Sequence, residues 1–253
     1  MSARPTLNLV QLYPEQLGVS GDGGNVVTLA ERARRADVEV ALHEHRPGDA
    51  LPDTADVVVI GSGPFSTLRA IHSDALRFRD LLADWADAGV PVVAIGGGME
   101  LLSHEIVPEE GDALEGLGFF DARALRGAVR RTNYFDVDTT YGADASPLKV
   151  LGFEDHATRF QLGASAEPFG TVVSGGGNGD GSEGVRRGAS FGTQLKGPVL
   201  PLNPALTDRI LTIALARRGA VYVTTLAHAR LDEFALKSRE VITTNLVRNF
   251  KSM

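Results

Sequence analysis

The 253-residue chain contains no cysteine. That excludes disulfides, thiolate metal sites and cysteine nucleophiles together. No apolar run approaches the roughly 18 residues that a membrane span requires. Positive charge is not in excess either: 25 Lys and Arg stand against 32 Asp and Glu, a net charge of −7, which leaves no basic face for nucleic acid. No leader pattern is visible, because Met1-Ser2-Ala3-Arg4-Pro5-Thr6 passes directly into a strand, and a cytoplasmic chain is expected. With 43% hydrophobic residues, and no linker or internal repeat, one domain over 1–253 is expected.

What is present is organised around Pro91–His104, where Val92-Val93-Ala94-Ile95 runs into Gly96-Gly97-Gly98 and then Met99, Leu101 and Leu102. This reads as strand, tight turn and helix, the junction at which ligands bind in open α/β sheets. A nucleophile in such a turn is thrown clear of the sheet on a strained backbone. Here the apex is glycine, so the elbow has no reactive atom.

Before the elbow, Leu7–Leu12 reads as a strand and Gly18–Gly24 as a loop leading to Asn25 as a helix cap. Val26, Leu29, Ala33 and Ala36 mark one helical face. Val38–Leu42 reads as a strand followed by His43 and His45, a strand end in preference to a metal pair, since no third ligand is near. Asp56–Ile60 is a buried strand ending in Gly61-Ser62-Gly63-Pro64. Leu68, Ile71, Ala75, Phe78, Leu82 and Trp85 then predict one amphipathic helix. Buried strands alternating with helices over 7–105 predict a doubly wound, mostly parallel sheet.

From about Leu114 to Gln194, short apolar runs between Gly, Asp, Asn and Ser predict antiparallel strands and hairpins. Gly175–Gly181 is read as a turn in preference to a phosphate loop, because no Lys-Ser/Thr follows. Asp136 and Asp138 share a strand face, read as solvated in preference to a metal or glycosidase pair. His104 and His156 are read as helix-surface or loop residues, and no Gly-x-Ser-x-Gly signals a serine hydrolase. Asn203-Pro204 caps and starts a helix ending at Arg217-Arg218-Gly219. A helical segment follows over about 226–253, its helix placed at Leu231–Phe250 and read as ordinary packing. No metal or cofactor is called for.

The elbow, taken with Phe191-Gly192-Thr193-Gln194-Leu195-Lys196-Gly197-Pro198-Val199-Leu200-Pro201-Leu202-Asn203, resembles the class I glutamine amidotransferases in their cobyric-acid-synthase-like branch. Within it the chain is similar to the amidotransferase subunits of lipid II isoglutaminyl synthases, which partner a Mur-ligase-like subunit. Asp22-Gly23-Gly24-Asn25, Gly61-Ser62-Gly63, Leu114–Gly118 and Leu151–Glu154 also fit, so the likeness runs from residue 7 to about 218. The resemblance implies a class I amidotransferase-like, flavodoxin-like fold: a mostly parallel sheet flanked by helices, with antiparallel additions mid-chain.

The resemblance also implies site residues. Gly96 stands at the family's cysteine and Lys196 at its histidine, so neither thiolate attack nor imidazole proton transfer is available. Arg130 stands at the family's glutamine-binding arginine, with a shift to Arg131 open. Gly63 and Gly97 supply the backbone oxyanion amides. Glu100, where relatives commonly carry glutamine, either pairs with Lys196 or serves the helix dipole as a first-turn acid. Lys196 is read as a structural or ligand-holding ammonium in preference to a new base or Schiff-base nucleophile. Glycine at 96 is expected to widen the pocket. The implied function is a catalytically degenerate subunit that partners a Mur-ligase-like enzyme on peptidoglycan precursors, an amine or small amino acid being its ligand. The alternative is a stand-alone amino-acid-binding or regulatory module.

Overall fold

The computed structural model describes residues 4–142 and 146–245. In chain order the elements are β1 (Thr6–Leu12), α1 (Gly23–Arg35), β2 (Glu39–His45), β3 (Val57–Ile60), α2 (Phe65–Leu76), α3 (Arg79–Asp87), β4 (Val92–Ile95) and α4 (Gly97–Leu102). There follow β5 (Glu105–Val107), β6 (Leu114–Glu115), β7 (Ala122–Thr139), β8 (Leu148–Leu162), β9 (Gly170–Ser174), β10 (Ser182–Glu183), β11 (Val185–Arg187) and β12 (Ser190–Thr193). The chain closes with α5 (Val199–Leu202), α6 (Pro204–Arg217) and α7 (Leu226–Asn245).

The first sheet runs β11-β12-β4-β3-β1-β2, parallel throughout except for the β11–β12 hairpin. β1 lies between β2 and β3, so chain direction across the sheet reverses there. The loops after β1 and β3 therefore diverge and leave a crevice at the strands' carboxyl ends. Strand alternation builds a core on each face. Val57, Val59, Val93 and Ile95 pack with α1, α5 and α6, while Val58, Ile60, Val92 and Ala94 pack with α2, α3 and α4. Each such fully buried aliphatic side chain contributes about 1.5–3 kcal/mol.

The second sheet runs β10-β9-β7-β5-β6, with β8 pairing β7 in a long antiparallel hairpin. This is the antiparallel middle region expected from the sequence. The hairpin leans over the crevice, and Phe153 on β8 bridges to Lys196 just after β12.

Four local readings are corrected. The helix expected over 68–85 is two helices, broken at Arg77 and Phe78, where Phe78 leaves helical geometry at φ −110°. The apolar period continues across the break, so both pieces face the core and the pattern conceals it. Asn25 lies inside α1, not at its cap, and accepts the Leu200 amide at 2.9 Å. Asn203 does precede α6, but its side chain bonds the backbone of Leu151 and Val199 instead of capping the helix. The last helix begins at Leu226, five residues earlier than read, and the end placed at Phe250 lies outside the described residues. Among the described residues no helix is long and apolar enough to cross a membrane.

Candidate functional site

The elbow is built by backbone contact among three loops. β4 delivers the chain to Gly96, whose φ of +50° and ψ of −110° turn it sharply into α4. Only glycine adopts that region without cost. The Gly96 amide donates to the Thr193 carbonyl at 2.8 Å, and the Gly98 amide to the Gly61 carbonyl at 2.9 Å. A Cβ on Gly97 would lie 2.8 Å from the Gly63 carbonyl oxygen, and one on Gly98 2.7 Å from that of Gly61. The triple glycine thus lets the elbow lie directly on the Gly61–Gly63 loop.

The expected widening at Gly96 does not occur. A Cβ there would stand 2.6 Å from Ser62 Oγ and 2.7 Å from Lys196 Cε. The volume is filled by a hydroxyl from one neighbouring loop and a lysine stem from another. Ser62 also accepts the Gly97 amide at 3.2 Å, so one of the two expected oxyanion donors already has an acceptor.

Lys196 is tied to β8 at both ends. Its amide donates to the Phe153 carbonyl at 2.7 Å and its Nζ to the Asp155 carbonyl at 2.9 Å. Burial pulls its pKa below the usual lysine value, while the negative charges of Glu100, Asp155 and Asp22 oppose that shift. Asp22 sits behind the elbow and accepts the Ser62 amide at 3.1 Å; burial raises its pKa.

Glu100 does not hydrogen-bond Lys196. It is 3% exposed and takes Arg126 through Nε at 2.7 Å and Nη2 at 3.3 Å, with the Thr158 hydroxyl donating at 2.7 Å. A guanidinium presents two parallel N–H groups to a carboxylate, which an ammonium cannot. Arg130 forms the matching pair with Asp155, at 2.5 and 2.6 Å, and holds that carboxyl below its ordinary value.

These groups line one cavity of about 470 Å³ above the elbow, in which Gly63, Gly97, Glu100, Arg130 and Lys196 meet. Gly96 does not itself line it; Ser62 and Lys196, which flank Gly96, do. Ser62, Arg126 and Asp155 also line it and were not singled out from the sequence. Ser62 reads as a spacer within Gly-Ser-Gly until Gly96 is seen beneath it. Arg126 lies 26 residues from Glu100, on β7 where Glu100 is on α4, and no local pattern joins them.

The remaining candidates stand apart or change character. His156 is a buried strand residue between the Thr158 carbonyl at 2.8 Å and Glu154 at 3.2 Å, not a surface or loop histidine, and it borders the cavity. His104 is exposed beside Asp121, at 3.2 Å. His43 is exposed and His45 is buried against Asp74, and among the described residues no His, Cys, Asp and Glu group could hold a metal. Asp136 is buried against Lys149 at 2.9 Å, unlike the solvated residue expected, whereas Asp138, 3.6 Å from the same ammonium, is exposed as read. Gly175–Gly181 is the turn between β9 and β10. An apolar groove of about 560 Å³ between α1 and α7 has Val27, Leu231 and Phe234 on its walls and brings no reactive groups together.

Residues 23–203 match the model of the CobB/CobQ-like glutamine amidotransferase domain. The chain is 28% identical over 220 residues to the lipid II isoglutaminyl synthase (glutamine-hydrolyzing) subunit GatD of Staphylococcus aureus, covering 84% of this chain and 86% of that protein. It is 29% identical over 219 residues to the subunit of the same name from Streptococcus pneumoniae, covering 84% and 82%. Among solved structures, PurLQS from Thermotoga maritima aligns with a TM-score of 0.55 at 15% identity, covering 85% of this chain and 97% of that one. A glutamine amidotransferase crystal structure aligns with a TM-score of 0.54 at 21% identity, covering 81% and 98%. The two structures speak to the fold.

Proposed function

Because the chain belongs to the CobB/CobQ-like glutamine amidotransferase domain family, we propose that it is a degenerate amidotransferase-like subunit that hydrolyses no glutamine. Its partner in this reading is a Mur-ligase-like enzyme acting in the cytoplasm on the D-glutamate carboxyl of a peptidoglycan precursor such as lipid II. The curated relatives, both subunits of a lipid II isoglutaminyl synthase, support the substrate and the existence of a partner. The observation that carries the degeneracy is the volume above Gly96, occupied by Ser62 and Lys196. No thiol stands there, and lysine replaces the imidazole that a cysteine–histidine mechanism needs.

The chemistry then falls to the partner. A ligase that activates the carboxyl as an acyl phosphate leaves a carbon open to any amine. The amine nitrogen attacks that carbon, the C–O bond to phosphate breaks, and inorganic phosphate departs. Free ammonia or an amino acid such as glycine can serve. The role of this chain is to support the ligase and to hold or admit the amine, with Arg130, Glu100 and Lys196 in the pocket that Gly63 and Gly97 also line.

The test is reconstitution. Co-expressed with its Mur-ligase-like partner, the chain is expected to co-purify with it and to support amidation from ammonium salts or an amino acid, not from glutamine. Amidation driven by glutamine, or failure to associate, would overturn this reading. A second reading, a stand-alone amino-acid-binding module, is favoured by the pocket's alternation of Arg126, Arg130 and Lys196 with Glu100 and Asp155, which suits a zwitterion. A rise in melting temperature with glycine, glutamate or glutamine in the isolated chain supports that module.

A further inference from the structure

We propose that Ser62 and Lys196 form a nucleophile and general-base pair that hydrolyses small carboxylate-bearing esters in the cavity above the elbow. The elbow offers no side chain, but the position a nucleophile would occupy is not empty of chemistry. Ser62 Oγ lies 2.6 Å from the point where the first side-chain carbon at residue 96 would stand, and the methylene carrying the Lys196 ammonium lies 2.7 Å from it. The hydroxyl and the last methylene of the lysine thus flank one small volume, and both residues line the cavity. At rest Nζ donates to the Asp155 carbonyl at 2.9 Å, and the pair forms when it leaves that acceptor for the hydroxyl. Serine with a desolvated lysine is an established variant of the nucleophile–base arrangement, and burial supplies the desolvation at Lys196.

The surroundings select the substrate. Arg130 spends Nε and Nη2 on Asp155, and Arg126 spends the same atoms on Glu100. Both guanidinium-bearing residues line the cavity, so a carboxylate on the substrate meets positive charge there. The Gly97 amide donates to Ser62 Oγ itself and is a weaker donor to a carbonyl oxygen bound there. Losing one oxyanion donor costs about 10²–10³ in rate. That loss restricts the pair to esters with a good leaving group and leaves the primary amide of glutamine intact.

The step balances without a cofactor. The neutral Lys196 amine takes the Ser62 hydroxyl proton as Oγ bonds to the ester carbonyl carbon. The C–O bond to the leaving alcohol breaks, and the Lys196 ammonium returns its proton to that oxygen. Water then attacks the acyl-serine with Lys196 again accepting a proton, and the carboxylic acid leaves with Ser62 restored.

The test uses the full isolated chain with mono-p-nitrophenyl succinate, and with a fluorophosphonate probe mapped by peptide mass. Expected are saturable p-nitrophenol release that falls at least tenfold in Ser62→Ala and in Lys196→Arg, and a probe adduct on Ser62. Lys196→Arg keeps the charge and a donor to the Asp155 carbonyl, and melting curves confirm that each variant folds. Release should rise with pH through a midpoint below that of free lysine. No release above buffer, release unchanged in both variants, or an adduct elsewhere would each overturn the proposal. None of these results bears on the ligase partnership, which is read with the partner present and from amide formation.

Discussion

Arg126 lays two N–H groups on the Glu100 carboxylate, at 2.7 and 3.3 Å, and so joins the first turns of α4 to the β7–β8 hairpin. Glu100 is buried and Arg126 only about a quarter exposed, so little solvent competes for the pair. Arg126→Met leaves a buried carboxylate with the Thr158 hydroxyl as its remaining side-chain donor. Removing one partner of a buried pair costs about 3–5 kcal/mol, and the surviving hydroxyl places this variant at the lower end. Urea denaturation of the variant against the native chain measures it. Arg126→Lys is expected to recover only part of the loss, since an ammonium makes one of the two bonds.

That pair also marks where the sequence stops being informative. The elbow, the parallel strands and the start of α6 are legible because each is a local pattern: β-branched runs, triple glycine, Asn-Pro. The helix break at Phe78 is not, since neither glycine nor proline announces it and the apolar spacing continues through it. Site contacts fail for a different reason. The sequence leaves Glu100 between Lys196 and the helix dipole, and Arg126, which takes it in the structure, reaches it from the second sheet. Ser62 takes its meaning from a missing side chain at residue 96, which only three dimensions reveal.

Glu183 is fully buried beneath the Thr193–Lys196 stretch, accepting the Gln194 amide at 2.7 Å and the Thr193 hydroxyl at 3.0 Å. Burial pushes its carboxyl up to about 8 from 4.5. Below about pH 4.5 the group is protonated in both folded and unfolded chains and contributes no pH dependence. Between there and about 8 the unfolded chain releases a proton that the folded chain keeps, so stability falls as pH rises. At about 1.4 kcal/mol per unit the loss from pH 5 to 8 is a few kcal/mol. Glu183→Gln keeps an acceptor and removes the titration. Denaturation at pH 5 and pH 8 should show the variant gaining on the native chain at the higher pH.

Helix α7 is held by ions more than by apolar packing. Arg32, 1% exposed on α1, reaches Asp232 of α7 at 2.6 Å and Asp208 of α6 at 2.7 Å through each of two nitrogens. Among the described residues of α7, Ala235 is the buried hydrophobic residue and His228 is buried as well, while Phe234, Leu236 and Val241 are exposed. Arg32→Met strands two carboxylates that are a quarter to a third exposed. Water relieves part of that cost, and a loss of about 2–3 kcal/mol is expected. Amide exchange should accelerate in α7 before it does in β1, β3 and β4. Uniform acceleration would show that α7 is not the element Arg32 secures.

The last prediction concerns repair of the elbow. Gly96→Cys places an L side chain at φ +50° and ψ −110°, a sparsely populated region that costs about 1–3 kcal/mol, and its Cβ meets Ser62 Oγ and Lys196 Cε at 2.6 and 2.7 Å. Both are ends of side chains and can move, so the variant should fold with a lowered melting temperature. It should not release ammonia from glutamine, because its thiol would share the volume with an ammonium stem and no imidazole is present. Combining Gly96→Cys with Ser62→Gly and Lys196→His removes both obstructions, frees the Gly97 amide for an oxyanion and supplies the imidazole. Ammonia release by the triple variant, absent from the single one, is the expected outcome. Equal release by both would mean that Ser62 and Lys196 do not obstruct the site, and that the missing thiol alone separates this elbow from a working one.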